Sequence, residues 1–159
     1  MTMTRKAILI LQLLLLAING QHLIELSQGQ RDEIVSIHND LRRRVNPEAS
    51  NMRKLEWDVD LEAISKKWAS KCTTNNPSNL GQNVGLLQGN STGFIGAILK
   101  KFEEEKSSYT HHCNQCSGVC KHYRQMVHGV SSKIGCGAYT CDKGSAAKVD
   151  GIVLACEYD

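Results

Sequence analysis

Seven cysteines constrain the fold of this chain more than any other feature, because a covalent link between two of them fixes which segments lie side by side. They occupy the later two-thirds of the 159-residue sequence, at Cys72, Cys113, Cys116, Cys120, Cys136, Cys141 and Cys156. In an oxidising compartment they form disulfides by default. Because the number is odd, we expect one thiol to stay free, to pair between chains or to be oxidised.

The N-terminus predicts such a compartment. Arg5 and Lys6 precede an apolar run over residues 7–17, and small residues follow. This is the pattern of a secretory signal peptide. A membrane anchor is the alternative, but crossing the hydrocarbon core takes about 20 apolar residues and this run is shorter. We therefore expect residues 1–20 to be a signal peptide, residues 21–159 to form one domain, and the protein to be secreted and extracellular without a membrane span.

Charge and composition narrow the range of partners. Loss of Arg5 and Lys6 with the signal peptide lowers the formal net charge from +3 to +1, and a near-neutral protein gives no electrostatic reason to expect nucleic acid as a partner. A chain of this length can bury a core without depending on disulfides. Asn90 begins an Asn-Ser-Thr acceptor for N-glycosylation in a polar stretch, which is typical of an exposed loop.

Apolar residues at helical spacing predict three helices before any strand. The first covers about residues 30–45, with Ser27 and Gln30 as a capping box and Pro47 beyond its end. Its apolar face includes His38, which we interpret as a hydrogen-bonded core residue rather than a ligand. The opposite face is expected to be solvated and carries Arg31, Arg42 and Arg43.

The second predicted helix is capped by Asp58, and the third covers about residues 92–108. Three consecutive glutamates lie near the end of the third helix. At about 100° per residue, Glu105 lies about 60° from Phe102 and on the same apolar face, whereas the two preceding glutamates point to water. Of the three carboxylates, only Glu105 is predicted to face the interior.

After the helices the period of the hydrophobic pattern changes from 3.6 to 2. Residues 122–128, 133–140 and 151–158 are predicted strands, with a turn at residues 142–144 between the last two. Helices followed by strands around one core indicate an α+β fold.

The first predicted strand begins with a histidine. Alternation along a strand would place His122, Arg124, Met126 and His128 on one face. His122 would then meet Glu105 if the third helix packs on that face. A cationic Arg124 beside His122 would disfavour a bound metal ion.

Short motifs follow one another in a fixed order over nearly the whole mature chain: His38-Asn39 with Arg42, Leu55-Glu56-Trp57, Trp68-Ala69 with Cys72, Gly81-Gln82-Asn83, Phe102 with Glu105 and Tyr109, residues 122–127, residues 134–137, and Cys156-Glu157-Tyr158. In this order they resemble the CAP superfamily, which comprises cysteine-rich secretory proteins, insect venom antigens and plant pathogenesis-related proteins. The segment from Cys116 to Cys120 is most similar to venom-allergen-like proteins of parasitic worms. The resemblance implies an α-β-α sandwich with a small antiparallel sheet between helices.

In that family the cleft usually carries two histidines and two glutamates that can hold a divalent metal. By resemblance, His122 and Glu105 occupy two of the four positions, whereas Asn76 and Gln82 occupy the other two. Amides are poor ligands for zinc, which prefers imidazole nitrogen, thiolate or carboxylate. We therefore expect weak metal binding or none, and no cofactor. We interpret Glu105, His122 and Gln82 as a hydrogen-bonded polar patch that supports the sheet.

The resemblance also leaves Cys113 as the odd thiol and implies three disulfides: Cys72–Cys141, Cys136–Cys156 and Cys116–Cys120. Spacing alone allows Cys113 to pair equally with Cys116 or Cys120. In a cytosolic chain, the nearby His111 and His112 would make this cluster a candidate zinc site or redox motif, but the signal peptide argues against both. We interpret Cys113 as a surface thiol or an intermolecular bridge rather than as an activated nucleophile.

Three classes of function remain. The favoured class is a secreted, non-enzymatic protein that carries a sterol or fatty acid or has an immunomodulatory role, as the resemblance implies for many relatives. The second is an interaction domain for an extracellular protein receptor. The third is a metal-dependent hydrolase, which needs three protein ligands and an activated water. A channel-directed role depends in relatives on a cysteine-rich tail, and no such tail is expected here.

Overall fold

A sheet of five strands lies between one helix and three others. The computed structural model describes residues 22–75, 81–89, 91–142 and 149–159. The helices are α1 Gln28–Arg43, α2 Val59–Ala69, α3 Phe94–Glu104 and α4 Lys121–Met126, with 3-10 turns at Glu105–Ser108 and His111–Cys113. The strands are β1 His22–Ile24, β2 Glu56–Trp57, β3 Gln82–Leu87, β4 Tyr109–Thr110, β5 Gln115–Cys116, β6 Lys133–Cys141 and β7 Gly151–Tyr158.

The main sheet has the order β1-β6-β7-β3, and all three of these pairings are antiparallel. Strand β2 adds a short parallel pairing with the start of β6, and β4 and β5 form a separate two-stranded ribbon. The α+β class and the α-β-α sandwich are therefore confirmed.

The central strand β7 explains why both faces of the sheet need helices. All its residues are buried. Ile152, Leu154 and Tyr158 belong to a core shared with α1, α3 and α4, whereas Val153 and Ala155 belong to a second core beside α2. Neighbouring residues of a strand point to opposite faces, so a strand that is buried along its whole length requires cover on both sides.

Helix α2 packs directly on the backbone of β6. A Cβ atom at Gly135 or Gly137 would overlap the α2 backbone, so only glycine permits this close approach. The Ser65 hydroxyl uses the short distance to donate a hydrogen bond to the Gly135 carbonyl at 2.6 Å. The contact fixes the position of α2 relative to the sheet.

Three disulfides connect the layers and loops, in the pairs that the resemblance implies. Cys136 and Cys156 are partners in the β6–β7 register. The other two bridges are Cys72–Cys141 and Cys116–Cys120. Cys113 is a free, exposed thiol.

The two predicted helix caps, at Ser27 and Asp58, are confirmed. The Ser27 hydroxyl accepts from Gln30 N at 3.3 Å, and the Gln30 side chain accepts from Ser27 N at 2.9 Å, which completes the capping box of α1. Asp58 accepts from the first N–H groups of α2. Glu105 also faces inward as predicted, with a side chain 14% exposed compared with 38% for Glu103. Helix α3 ends at Glu104, somewhat before the predicted end.

The prediction of a strand over residues 122–128 is wrong, because this segment forms α4. Tyr123 and Met126 are the buried residues, and their spacing of three fits a helix rather than a strand. His122 and Arg124 therefore do not share a face. The prediction that helices precede all strands is also wrong, since β1, β2 and β3 come before residue 122.

Arg42 corrects the prediction of a solvated face on α1. Its side chain is buried, and the residue is only 3% exposed. The guanidinium donates to the carbonyls of Arg53 at 2.6 and 2.9 Å, of Met126 at 3.0 Å, of His128 at 2.8 Å and of Ser131 at 3.0 Å. One cation thus joins α1 to the chain before β2 and to the loop between α4 and β6.

The length and hydropathy of the described helices decide whether any of them could span a membrane. None of these helices is both long and apolar enough to cross a membrane. The predicted signal peptide lies outside the described residues.

His38 lies in the core as predicted. Its Nδ1 lies 2.8 Å from the Ile34 carbonyl and its Nε2 lies 2.8 Å from the Tyr158 hydroxyl. A neutral ring with the proton on Nδ1 satisfies both contacts, because it donates to the carbonyl and accepts from the hydroxyl. Burial is the main cause that lowers the pKa of His38 to about 4.

We predict that Arg42→Lys destabilises the protein by about 2–4 kcal/mol, because an ammonium cannot reproduce a planar fork that reaches several separate carbonyls. Urea unfolding of the disulfide-intact protein measures the loss. Arg43→Lys on the exposed side of the same helix is the matched control and is expected to change stability by less than about 0.5 kcal/mol. Equal stability of the two variants would contradict a structural role for Arg42.

We predict that His38 makes the protein less stable as the pH falls from about 6.5 to about 4. The unfolded chain binds a proton at His38 near pH 6.5, whereas the folded chain does so only near pH 4. The contribution of His38 to the free energy of unfolding is therefore complete above pH 6.5. About 3 kcal/mol of it is lost as the pH falls to about 4. Urea unfolding at several pH values compares the wild type with His38→Gln. The variant should be less stable at pH 7 and show a smaller decline, and an identical decline would contradict the prediction.

Candidate functional site

The cleft residues Glu105 and His122 form a close pair. His122 Nδ1 lies 2.6 Å from Glu105 Oε1, and both side chains are largely buried, at 17% and 14% exposure. The contact forms because α3 turns into a 3-10 helix at Glu105 and α4 begins beside it. The sequence predicts that these two side chains meet, although it predicts a strand rather than a helix at His122.

Glu105 also caps α4 from a distance. Its Oε2 accepts from His122 N at 2.9 Å and from Tyr123 N at 3.2 Å. The residue at the start of α4, Cys120, provides no side-chain cap, and the first N–H groups of a helix need acceptors. Glu105 supplies an acceptor and a negative charge at that end, so both of its oxygens are occupied by hydrogen bonds.

The ring of His122 is held from a second side. It stacks on Phe102 with a centroid distance of 4.3 Å and an interplanar angle of 9°. Phe102 belongs to the core and comes from α3, one turn before Glu105. The carboxylate and the phenyl ring of the same helix therefore fix the orientation of the imidazole.

Asn83 connects this pair to the core. Its Nδ2 donates to the His122 carbonyl at 2.9 Å and to the Tyr158 hydroxyl at 3.3 Å. Tyr158 in turn contacts His38, and burial raises the pKa of Tyr158, which keeps the hydroxyl protonated. The polar chain runs from α1 through β7 and β3 to α4. Sequence reasoning missed this role, although Asn83 stands in the Gly81-Gln82-Asn83 motif.

Gln82 belongs to a second polar pair. It lies in register with Glu157 on the neighbouring strand, and its Nε2 donates to Glu157 Oε1. Because strand residues alternate, Gln82 and Asn83 start on opposite faces of the sheet, and it is Asn83 that contacts His122. Burial raises the pKa of Glu157, and the hydrogen bond from Gln82 offsets part of this effect. Glu157 was not a predicted site residue.

Two predicted site residues, Asn76 and Asn90, lie outside the described residues. Within the described part of the chain, His, Cys, Asp and Glu form no group of three or more that could hold a metal ion. Both Glu105 oxygens and His122 Nδ1 are directed at each other and at the backbone of α4, so these three atoms are already engaged in hydrogen bonds.

A cavity of about 520 Å³ lies between the chain that follows α1, the segment 106–114 and α4. Its apolar and aromatic lining comes from Val45, Pro47, Met52, Tyr109, Tyr123, Val127 and Val130. Its basic lining comes from Lys106, His111, Arg124 and His128, and none of the described lining residues is Asp or Glu. We call this the cationic pocket. No local motif predicts it, because its residues are spread over more than eighty positions.

Arg124 lies in this pocket and not beside His122 on a strand. Its guanidinium lies 5.9 Å from the centre of the Tyr109 ring, within the range of a cation–π contact. The side chain is exposed. The helix, rather than the predicted strand, turns Arg124 away from the Glu105–His122 pair.

We predict that Glu105→Ala destabilises the protein by about 2–3 kcal/mol, because two N–H groups of α4 and the His122 ring lose their common acceptor. Glu105→Gln keeps one carbonyl oxygen and should lose roughly half as much. Glu104→Ala, at an exposed neighbour, is the control. Thermal and urea unfolding measure all three variants, and wild-type stability of Glu105→Ala would show that the carboxylate does not support α4.

Comparison with known proteins agrees with this fold. Residues 35–158 match the family described as CAP, the cysteine-rich secretory protein family. Human cysteine-rich secretory protein LCCL domain-containing 2 is 38% identical over 130 residues, which cover 71% of this chain and 26% of that protein. Mouse peptidase inhibitor R3HDML is 35% identical over 131 residues, which cover 73% of this chain and 51% of that protein. The chain thus spans between about a quarter and a half of these two relatives.

Solved structures show the same architecture. Venom allergen-like protein 4 of Schistosoma mansoni is 29% identical, with a TM-score of 0.67 and coverage of 84% of this chain and 88% of that one. Hookworm platelet inhibitor is 20% identical, with a TM-score of 0.67 and coverage of 86% and 71%, and this likeness shows the fold alone. From the match over residues 35–158, the chain belongs to the CAP family of cysteine-rich secretory proteins.

Proposed function

We propose that this protein is a secreted, non-enzymatic binding protein and that the cationic pocket takes up a fatty acid or a similar anionic lipid. The observation that carries the proposal is the lining of the pocket, which combines apolar and aromatic side chains with basic groups and has no described carboxylate. Its volume of about 520 Å³ lies within the usual range of small-molecule sites.

The arrangement of the lining matches the two ends of an amphipathic anion. Val45, Met52 and Val127 offer apolar surface for a hydrocarbon chain, whose burial is favourable in proportion to the area removed from water. Lys106 and Arg124 offer charge-assisted hydrogen bonds to a carboxylate. A sterol has no anionic group to meet these cations, so the lining favours a fatty acid over a sterol.

The geometry of Glu105 and His122 supports a binding role rather than hydrolysis. Metal-dependent hydrolysis needs three protein ligands and an activated water. Here the two groups bind each other, and Glu105 also binds the backbone of α4. Their contacts are those of a structural support for one wall of the pocket, since α4 carries Tyr123 and Arg124.

Secretion is part of the same proposal. Three disulfides are stable in an oxidising compartment, and residues 5–20 have the pattern of a signal peptide. The curated relatives carry the names of cysteine-rich secretory proteins and peptidase inhibitors. An extracellular location would give the pocket access to lipids outside the cell.

We predict that labelled palmitate binds the refolded, disulfide-intact mature protein saturably and that a chelator leaves the affinity unchanged. Lys106→Gln with Arg124→Gln should weaken binding about tenfold, which corresponds to about 1.4 kcal/mol. Lys100→Gln with Lys101→Gln removes the same charge from exposed positions on α3 that do not line the pocket, and it should bind like the wild type.

Comparison of palmitate, hexadecanol and cholesterol shows whether the charge or the hydrocarbon part of the ligand decides binding. Hexadecanol has the chain of palmitate without the charge and should bind more weakly, and cholesterol should compete poorly. Equal binding of palmitate and hexadecanol would overturn the role of the cations. Absence of binding by all three would overturn the lipid proposal, and loss of palmitate binding on chelation would show that a metal takes part.

A further inference from the structure

We propose that a second site, next to the cationic pocket, binds a sulfated polysaccharide. Arg43, Arg53 and Lys54 line a depression of about 420 Å³ on the protein surface. This depression shares Ala49 and Met52 with the cationic pocket, so the two adjoin on the surface. We call the two together the basic groove, and the proposal does not depend on lipid binding in its deeper part.

The groove concentrates positive charge on a protein of small net charge. Besides Arg43, Arg53 and Lys54, it contains Lys106 and Arg124, and Glu48 is the only carboxylate among its described lining residues. A mature chain with a formal net charge of about +1 therefore presents five permanent cations along one surface. Such a concentration attracts polyanions, even when the whole protein is close to neutral.

Most of these cations have no carboxylate partner of their own. Arg43 forms an ion pair with Asp40. Within the described part of the chain, no carboxylate lies within ion-pair distance of Arg53, Lys54, Lys106 or Arg124. By contrast, Lys66 and Lys133 on other surfaces pair with Glu62 and Asp58. Exposed cations without partners bind an added anion without first breaking an internal ion pair.

The backbone beneath the groove is fixed while its side chains stay exposed. The Arg53 carbonyl accepts two hydrogen bonds from buried Arg42, and Arg53 N donates to the Gly129 carbonyl at 3.0 Å. The side chains of Arg53 and Lys54 remain exposed. A fixed backbone lowers the ordering cost of binding, so the groove presents its charges in a nearly constant arrangement.

The shape and location of the groove favour a sulfated chain among the polyanions. Two adjoining depressions lined by cations suit a linear polymer with repeated charges. The disulfides and the proposed secretion place the protein among extracellular polyanions rather than with nucleic acid. Arginine guanidinium groups and lysine ammonium groups both form charge-assisted hydrogen bonds with sulfate oxygens.

The test is binding of heparin to the disulfide-intact mature protein by titration calorimetry at several salt concentrations. We expect binding at about 0.15 M salt that weakens as salt rises, because bound cations of the polymer are released. Arg53→Gln with Lys54→Gln should weaken binding about tenfold and reduce the slope of log Kd against log salt by about two. The substitution keeps the Arg53 carbonyl, so the Arg42 contacts are retained.

A matched control is Lys67→Gln with Lys71→Gln, two exposed lysines at the end of α2 and just beyond it. Helix α2 lies on the opposite face of the sheet. This control removes the same charge and should bind heparin like the wild type, with thermal unfolding to confirm that each variant is folded. Equal losses in both variants would overturn the site, as would binding that is unchanged for desulfated heparin. Binding to phosphatidylserine vesicles without binding to heparin would overturn the glycan proposal and indicate a membrane as the partner of the groove. Arg53→Gln with Lys54→Gln should still bind palmitate, because neither residue lines the cationic pocket. This result would show that glycan binding and lipid binding can be lost independently.

Discussion

The structure depends on a buried cation that has no carboxylate partner among the described residues. Removing a charge from water is costly unless hydrogen bonds replace its hydration. Arg42 meets this requirement with backbone carbonyls before β2 and after α4. Because the acceptors are backbone carbonyls, the hydrogen bonds of Arg42 fix the path of the main chain. It brings the loop after α4 and the segment before β2 against the end of α1, and the walls of the basic groove are built from these same segments.

Helix α4 is too short to be stable by itself, and tertiary contacts fix both of its ends. Helices of fewer than about twelve residues are marginal in water, and α4 has six. Glu105 and Asn83 hold its first turn, while Arg42 binds the Met126 carbonyl at its last residue. The Glu105–His122 pair thus has a structural use, because it fixes the start of α4. The polar chain from His38 to Asn83 extends this support into the core.

The elements that the sequence predicts well are those whose own pattern decides their structure. Helix α1 has a local capping box and an apolar face, and β7 has an unbroken apolar run. The strand assigned to residues 122–128 is wrong because the cap of α4 comes from Glu105, seventeen positions away. The sequence predicts that Arg42 is solvated, because its acceptors are distant backbone carbonyls and a sequence pattern does not reveal them. The orientation of Glu105 could be predicted from helical geometry, whereas its second contact with the α4 backbone could not.

In the basic groove, backbone atoms make the contacts that stabilise the fold, and the charged side chains stay exposed. In the segment from Val45 to Lys54, the structural contacts at Arg53 are made by backbone atoms, which leaves the side chains of Arg53 and Lys54 free for solvent or a ligand. The same holds on α4, where Tyr123 and Met126 fill the core while Arg124 stays exposed. Substitutions at these exposed positions change charge with little effect on folding. A surface of this kind can acquire a new ligand while the buried contacts of Arg42 and Glu105 remain unchanged.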